Sequence, residues 1–322
     1  MTTKAGPLGV LLSLFALVAA ACGTPAPTDA TNPEGGITVV TTTVILGDLA
    51  DSVLGDDGEV EVLMPAGADP HDFTASAAQA SLLRSADLVV ANGLGLESGM
   101  IDVLEAAEAE GSNVLELAER LDPLPFGAGS EHDEPEHEGD DQEGDDHEGD
   151  DPHFWLDPLR VADAVDLIAA ALHEIEPNHE WEQRADEYRS EIERLHAEIE
   201  ATLDSIPAER RKLVTNHDAF GYFAERYDFE VVATVIPGGS TMAEPSAAEL
   251  GELVEILERE DIRAVFADTT SPATLAEAAA AELGDTVEVY ELFTESLGPD
   301  DVDGYQAMML ANAGIIAGAL GD

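Results

Sequence analysis

Three of the nine histidines stand where a strand-like or loop segment gives way to the start of a helix. His71 lies in MPAGADPHDF, His153 in DPHFWLDP and His217 in TNHDAFGYF. Open α/β sheets bind ligands at the carboxyl ends of their strands, and neutral imidazole is a common metal ligand. The three side chains, carried by separate segments, are therefore candidates for one shared metal site. Taken singly, His71 and His217 are also compatible with loop histidines bonded to local backbone.

The segments that would position these histidines alternate between strand-like and helix-like patterns. Strands are predicted at 37–46, 59–65, 87–92, 113–117, 212–216, 230–236, 263–268 and 286–292. Helices are predicted for LGDLADSVLG, which follows the first strand, and at 76–86, 100–111, 158–175, 219–227, 246–260, 272–283 and 302–319. Such alternation indicates an α/β fold with mostly parallel sheets and helices on their faces.

One long helix is predicted at 178–206. Its apolar residues recur every three or four positions, which is the stripe of a packed helix, and its length corresponds to roughly 40 Å. Because strand–helix alternation stops before this segment and restarts after it, we expect two lobes joined by the helix. The predicted domains are an N-terminal lobe at 37–177, the linker helix at 178–206 and a C-terminal lobe at 207–322. A long helix that packs on one lobe only is the alternative.

The N-terminus has the pattern of a secreted lipoprotein. The apolar run at 8–21 is too short to span a bilayer comfortably, and it ends in three alanines before Cys22, the single cysteine. These residues resemble a bacterial lipobox, which implies a signal peptide at 1–21 and a diacylated Cys22. Residues 22–36 are then a flexible tether rich in Pro, Gly and Thr. An ordinary signal peptide with an incidental cysteine is the alternative.

The charge balance narrows the range of partners. The chain has 13 Lys and Arg against 69 Asp and Glu, a formal net charge of −56. Nucleic acid is excluded as a partner, since phosphate binding requires clustered basic residues. The densest acidic segment, 127–151, holds 13 of the acids and three histidines, and it contains no Lys or Arg. It predicts a surface loop without a core of its own.

Four motifs together resemble one protein family. PAGADPHDF, HFWLDP, TNHDAFGYF and TESL…YQAMMLANAGII occur in this order, with the lipobox before them and the long helix among them. They are similar to the metal-binding lipoproteins of bacterial ABC transporters, the solute-binding proteins specific for zinc or manganese. The resemblance covers roughly residues 37–320. It implies two α/β lobes, each with a mostly parallel sheet flanked by helices, joined by one long helix.

The resemblance also implies four metal ligands. The first three fall on His71, His153 and His217. The fourth is usually an aspartate in a Thr-Asp-Ser stretch, but this chain has Thr294-Glu295-Ser296, so the implied ligand is Glu295. Glutamate keeps the charge and both oxygens and reaches one methylene further. Asp268, which ends the predicted strand RAVFAD, is an alternative ligand.

The metal implied by this ligand set is Zn²⁺. Manganese-specific relatives tend to place a carboxylate in the third position, because Mn²⁺ favours oxygen ligands. Three imidazoles and one carboxylate form a nitrogen-rich set that suits Zn²⁺, and an Mn²⁺ receptor is the alternative. Zinc-specific relatives carry a histidine-rich loop that is thought to collect the ion. His132, His137 and His147 in the acidic loop are therefore an auxiliary metal-binding candidate, or else part of a solvated insertion.

The expected role is a monomeric receptor rather than an enzyme. It would be lipid-anchored to the membrane through Cys22, outside the cytoplasm, and deliver Zn²⁺ to an ABC permease and its ATPase. A zinc metallohydrolase is the less favoured alternative, because no HExxH motif occurs and a carboxylate fills the position that a catalytic zinc leaves open. Since imidazole must be neutral to bind a metal, binding is expected to weaken below about pH 6.

Overall fold

The computed structural model describes residues 36–127 and 149–321, together with Thr2. The predicted signal peptide, Cys22, most of the tether and the loop histidines His132, His137 and His147 lie outside the described residues. The predictions for those segments therefore stay predictions.

The first sheet consists of four parallel strands in the order β2-β1-β3-β4. Its strands are β1 (Ile37–Thr41), β2 (Gly58–Val62), β3 (Leu88–Ala91) and β4 (Val114–Glu116). The helices that accompany it are α1 (Val44–Leu54), α2 (Ala77–Ser85), α3 (Ile101–Ala109) and α4 (Pro158–Ile175). Chain connections leave β1 and β3 in opposite directions, so the topological switch point lies between these two central strands.

The second sheet repeats this arrangement. Its four parallel strands run in the order β6-β5-β7-β8. They are β5 (Lys212–Thr215), β6 (Glu230–Thr234), β7 (Ala264–Asp268) and β8 (Glu288–Leu292), and the helices are α6 (Gly221–Tyr227), α7 (Ala247–Arg259), α8 (Thr274–Glu282) and α9 (Tyr305–Leu320). The predicted α/β class with two parallel-sheet lobes is confirmed.

Capping decides two helix starts in the N-terminal lobe. Asp157 accepts a hydrogen bond from the backbone N–H of Leu159, and Pro158 occupies the first turn, so α4 begins where the sequence predicts. The predicted strand at 37–46 is too long. Thr43 accepts a hydrogen bond from the backbone N–H of Leu46, and the β-branched residues after it form the first turn of α1 rather than a strand.

The long helix α5 spans Trp181–Leu203, shorter than the predicted 178–206 by three residues at each end. It packs against α1 and α4 of the N-terminal lobe and against α9 of the C-terminal lobe, so it is not confined to one lobe. One continuous hydrophobic cluster includes side chains from both sheets and from these helices, such as Val39, Ile192, Phe266 and Met308. Within the described residues, none of the helices combines the length and apolar character needed to cross a membrane.

Candidate metal centre

Four side chains converge between the two lobes, each from the carboxyl end of a strand or the loop that follows it. They are the predicted residues His71, His153, His217 and Glu295, and all are at most 4% exposed. His71 follows β2, His217 follows β5 and Glu295 follows β8, while His153 stands just before α4. One donor atom from each residue lies within 4.8 Å of the other three. Both sheets therefore supply donors to one buried cluster.

Three of these donors are already spaced like ligands of one ion. Nε2 of His153 lies 3.3 Å from Nε2 of His217, and Oε1 of Glu295 lies 3.3 Å and 3.1 Å from these two nitrogens respectively. Two ligands about 2.1 Å from a tetrahedral Zn²⁺ stand about 3.4 Å apart. Nε2 of His71 is buried and meets no hydrogen-bond partner in the described part of the chain. A buried polar atom without a partner is costly, and a bound cation would satisfy it.

The charges of the cluster are set by its burial and by its own members. Burial lowers the pKa of His71 to about 3, which keeps this imidazole neutral. Burial also disfavours charge on His153, but the carboxylates of Glu295 and Asp151 raise the pKa of His153 to about 10. Burial alone would raise the pKa of Glu295, yet His153 and His217 hold it well below its usual range. These shifts favour a carboxylate on Glu295 and a proton on His153, which a divalent cation binding here would have to displace.

The first two histidines share a local motif, the triplet Asp-Pro-His. Asp69 and Asp151 each accept a hydrogen bond from the backbone N–H of the histidine two residues on, in both cases at 2.9 Å. Such Asx turns fix the direction in which the following side chain leaves the backbone. Asp151 also accepts from Nδ1 of His153 at 2.7 Å, which directs Nε2 toward the cluster.

The partner of His153 is a residue that sequence reasoning missed. Asp69, Asp72, Asp157 and Asp218 are the carboxylates next to the predicted ligands in sequence, whereas Asp151 is counted with the acidic loop. In the structure Asp157 caps α4 and forms a bidentate pair with Arg226, and Asp72 is exposed. The repeated Asp-Pro-His triplet is the signal that identifies Asp151.

A tryptophan links the segments that carry two ligands from different lobes. Nε1 of Trp155 donates to the carbonyl of Thr294 at 2.8 Å, one residue before Glu295. The Trp155 ring packs edge-on against His153, with the ring centroids 5.3 Å apart, and the Trp155 carbonyl accepts from the hydroxyl of Tyr305. Across the same cleft, the backbone N–H of Gly67 donates to Oγ of Ser296 at 2.8 Å. These contacts hold the backbone around Glu295.

Asp268, the alternative ligand, lies beside the cluster without joining it. It is 1% exposed, and its Oδ1 accepts from the backbone N–H of Thr270 at 3.1 Å. Its Oδ2 has no hydrogen-bond partner among the described residues. Burial, reinforced by the charge of Glu295, raises the pKa of Asp268 to about 7. The four-donor group contains Glu295 and not Asp268.

The fold is that of two-lobed metal-binding proteins of known structure. A solved structure of the periplasmic zinc-binding protein TroA from Treponema pallidum matches with a TM-score of 0.76 and 30% identity, covering 89% of this chain and 100% of that one. In sequence, the zinc-binding protein TroA of Treponema pallidum is 32% identical over 238 residues, 73% of this chain and 71% of the relative.

The family itself follows from a match along nearly all of the described chain. The family model described as zinc-uptake complex component A, periplasmic, matches residues 39–319, and the chain belongs to this family. The manganese-binding lipoprotein MntA of Bacillus subtilis is 32% identical over 265 residues, 81% of this chain and 78% of the relative. The resemblance inferred from the four motifs is therefore confirmed, and relatives named for zinc and for manganese are both present.

Proposed function

We propose that this protein is an extracytoplasmic receptor that binds Zn²⁺ through His71, His153, His217 and Glu295 and delivers it to an ABC permease. The observation that carries the proposal is the convergence of three imidazoles and one carboxylate, all buried, with one donor atom from each within 4.8 Å of the others. The four residues are at most 4% exposed, so the surrounding side chains would shield a bound ion from most of the solvent. This supports a binding protein rather than an enzyme.

The donor set supports zinc over manganese. Imidazole nitrogen is a good ligand for Zn²⁺, and the spacing of three donors is close to a tetrahedral edge. Manganese remains the second candidate because a manganese-binding relative is as similar in sequence as the zinc-binding one. Asp268, with an unpartnered oxygen beside the cluster, is a further oxygen donor that Mn²⁺ would favour.

The test is isothermal titration of the mature protein after metal is removed with a chelator. We expect one Zn²⁺ per chain, and a loss of affinity in the double variant His71→Ala/His217→Ala. His173→Ala is the matched control, because His173 is a half-exposed histidine on α4 that pairs with Glu182 on the surface. A stoichiometry of zero, or equal affinity in the double variant and the control, would refute the proposal. Competition between Zn²⁺ and Mn²⁺ decides which ion is preferred.

The proposed location depends on Cys22, which lies outside the described residues. We infer that the signal peptide at 1–21 is removed and that Cys22 is acylated. Residues 22–36 would then tether the rest of the protein to the membrane. That part consists of the lobes at 37–177 and 207–322 and the helix at 178–206 that joins them. Acylation of Cys22 would give the chain a membrane attachment that the helices of residues 36–127 and 149–321 do not provide. Replacing Cys22 with Ser should release the protein from the membrane fraction and abolish incorporation of a labelled fatty acid. A variant that stays in the membrane fraction would contradict the anchor.

A further inference from the structure

A buried carboxylate lies just past the end of β3, at the switch point of the first sheet. Glu97 is 2% exposed. Its Oε1 accepts hydrogen bonds from Oγ1 of Thr42 and from the backbone N–H of Asn92, both at 2.7 Å, and its Oε2 accepts from the backbone N–H of Gly93 at 3.2 Å. These donors are neutral, and burial raises the pKa of Glu97. Burying a carboxylate among neutral donors is costly, so its presence points to a task that an apolar residue would not perform.

These hydrogen bonds hold a turn with an unusual backbone. Gly93, Leu94 and Gly95 have φ angles of +86°, +52° and +78°. Glycine adopts such angles readily, but Leu94 does so only where the surroundings require it. Glu97 closes this turn on itself, because its carboxylate binds the backbone N–H groups at the turn's start. The side chain of Glu97, near the end of the turn, therefore holds the backbone at its start.

The turn reaches both N-terminal metal-ligand segments. Asn92 Nδ2 donates to the carbonyl of Pro152 at 3.0 Å, one residue before His153. Ser98, the residue after Glu97, donates from Oγ to the carbonyl of His71 at 2.5 Å. At Gly99 a Cβ atom would lie 2.4 Å from the carbonyl oxygen of Phe73, so the turn also abuts the backbone just after His71. Each contact ends on a ligand residue or within two residues of one.

We propose that Glu97 is a positioning residue for the metal centre. Its carboxylate holds the 92–99 turn in the shape that presents Asn92 to the His153 segment and Ser98 to the His71 segment. A carboxylate suits this position because a backbone N–H points at each of its two oxygens. An amide in its place would keep one accepting oxygen and direct its NH₂ group at a backbone N–H, that of either Gly93 or Asn92. The inference rests on the proposed function, because it assigns Glu97 a role in that same centre.

The experiment compares Glu97→Gln with single-arm variants and a stability control. Ser98→Ala removes the contact to His71 and Asn92→Ala the contact to Pro152, while both keep Glu97. Val53→Ala is the stability control, because it creates a cavity at a buried position. Val53 lies near the carboxyl end of α1, and this helix begins at the metal-binding edge of the sheet and runs away from it. Zinc affinity is measured by competition with a chromophoric chelator. The visible spectrum of the Co²⁺-substituted protein reports ligand geometry, and thermal melting reports stability.

We expect Glu97→Gln to weaken zinc binding 10- to 100-fold, because substitutions in the outer shell of a metal site typically have effects of this size. The Co²⁺ spectrum should change as well. Each single-arm variant should show a smaller loss. Val53→Ala should melt at a lower temperature with affinity and spectrum unchanged.

Two outcomes would overturn the positioning role. One is Glu97→Gln binding zinc within twofold of the wild type with an unchanged spectrum. The other is Val53→Ala losing as much affinity at a similar loss of stability. If Glu97→Gln does not fold, the single-arm variants decide, and affinities within twofold of the wild type in both would reject the role. Failure of the proposed function is distinct, because the unsubstituted protein would then bind no zinc.

Discussion

Shortening Glu295 by one methylene, as in Glu295→Asp, tests the fourth ligand most sharply. The change introduces the aspartate that the family resemblance implies at this position, so the resemblance alone predicts full function. The structure predicts the opposite. The present backbone is matched to a glutamate, whose Oε1 stands 3.3 Å and 3.1 Å from the Nε2 atoms of His153 and His217.

The magnitude follows from the geometry. Removing one methylene withdraws the carboxylate by roughly 1.5 Å, one C–C bond length, whereas metal–ligand distances tolerate only about 0.2 Å. The backbone is held on both sides of the residue, by Trp155 on the carbonyl of Thr294 and by Gly67 on the hydroxyl of Ser296. Because outer-sphere changes alone cost 10- to 100-fold, losing a direct ligand should cost at least about 100-fold in zinc affinity, about 2.7 kcal/mol.

The assay is a chelator competition with Zn²⁺, run in parallel on Glu295→Asp, Glu295→Gln and the control Asp268→Asn. Asp268 is equally buried and interacts electrostatically with Glu295 and His217, but it is not among the four converging donors. We expect both Glu295 variants to lose affinity by similar factors and Asp268→Asn to change it by less than tenfold. The reasoning is refuted if Glu295→Asp binds as the wild type does, or if Asp268→Asn is the more damaging change.

Three further predictions concern the ion pair between the lobes, the protons of the site and the shape of the molecule. Arg226→Gln breaks a bidentate pair with the buried Asp157. The cost should be about 2 kcal/mol, between the values for exposed and fully buried pairs, so the melting temperature measured by calorimetry should fall by about 4 °C. An unchanged melting temperature would contradict a role for the pair. Because the pKa of His153 is raised to about 10, zinc must displace its proton, and affinity should rise with pH by about tenfold per unit between pH 6 and 8; a flat titration would argue against this site. Since α5 packs on helices of both lobes, apo and zinc-bound small-angle scattering profiles should coincide, and marked compaction on binding would count against this.

Much of the fold was predictable because its signals are local. Runs of β-branched residues predict the strands, and Asp157 followed by Pro158 predicts the start of α4. The start of α1 is predicted as strand because Thr43 and the residues after it have the composition of a strand. Only the capping hydrogen bond, from the backbone N–H of Leu46 to the Thr43 side chain, shows that a helix begins there. Local patterns therefore predicted which elements exist better than where they end.

The four candidate ligands can be proposed from the sequence, whereas most of the residues that hold them in place cannot. Three histidines at strand ends and one carboxylate in a known motif can be recognised one segment at a time. Glu97 accepts a hydrogen bond from Thr42, 55 residues away, and Trp155 donates one to Thr294, 139 residues away. No periodicity or spacing in the sequence connects residues so far apart. Asp151 is intermediate, because the Asp-Pro-His triplet is visible once the same triplet around His71 is compared with it.

The continuous apolar cluster through α1, α4, α5 and α9 has a consequence for folding cooperativity. The two lobes repeat one strand order, and each has a smaller apolar cluster of its own, but the largest cluster contains side chains from both sheets. If one lobe unfolded, the other would expose its share of this common cluster, so we expect the intact protein to unfold in one transition rather than two. Zinc held by ligands from both halves would then protect the whole body against unfolding, in proportion to the logarithm of its free concentration over its dissociation constant. Metal supply would in this way also set the lifetime of the receptor itself.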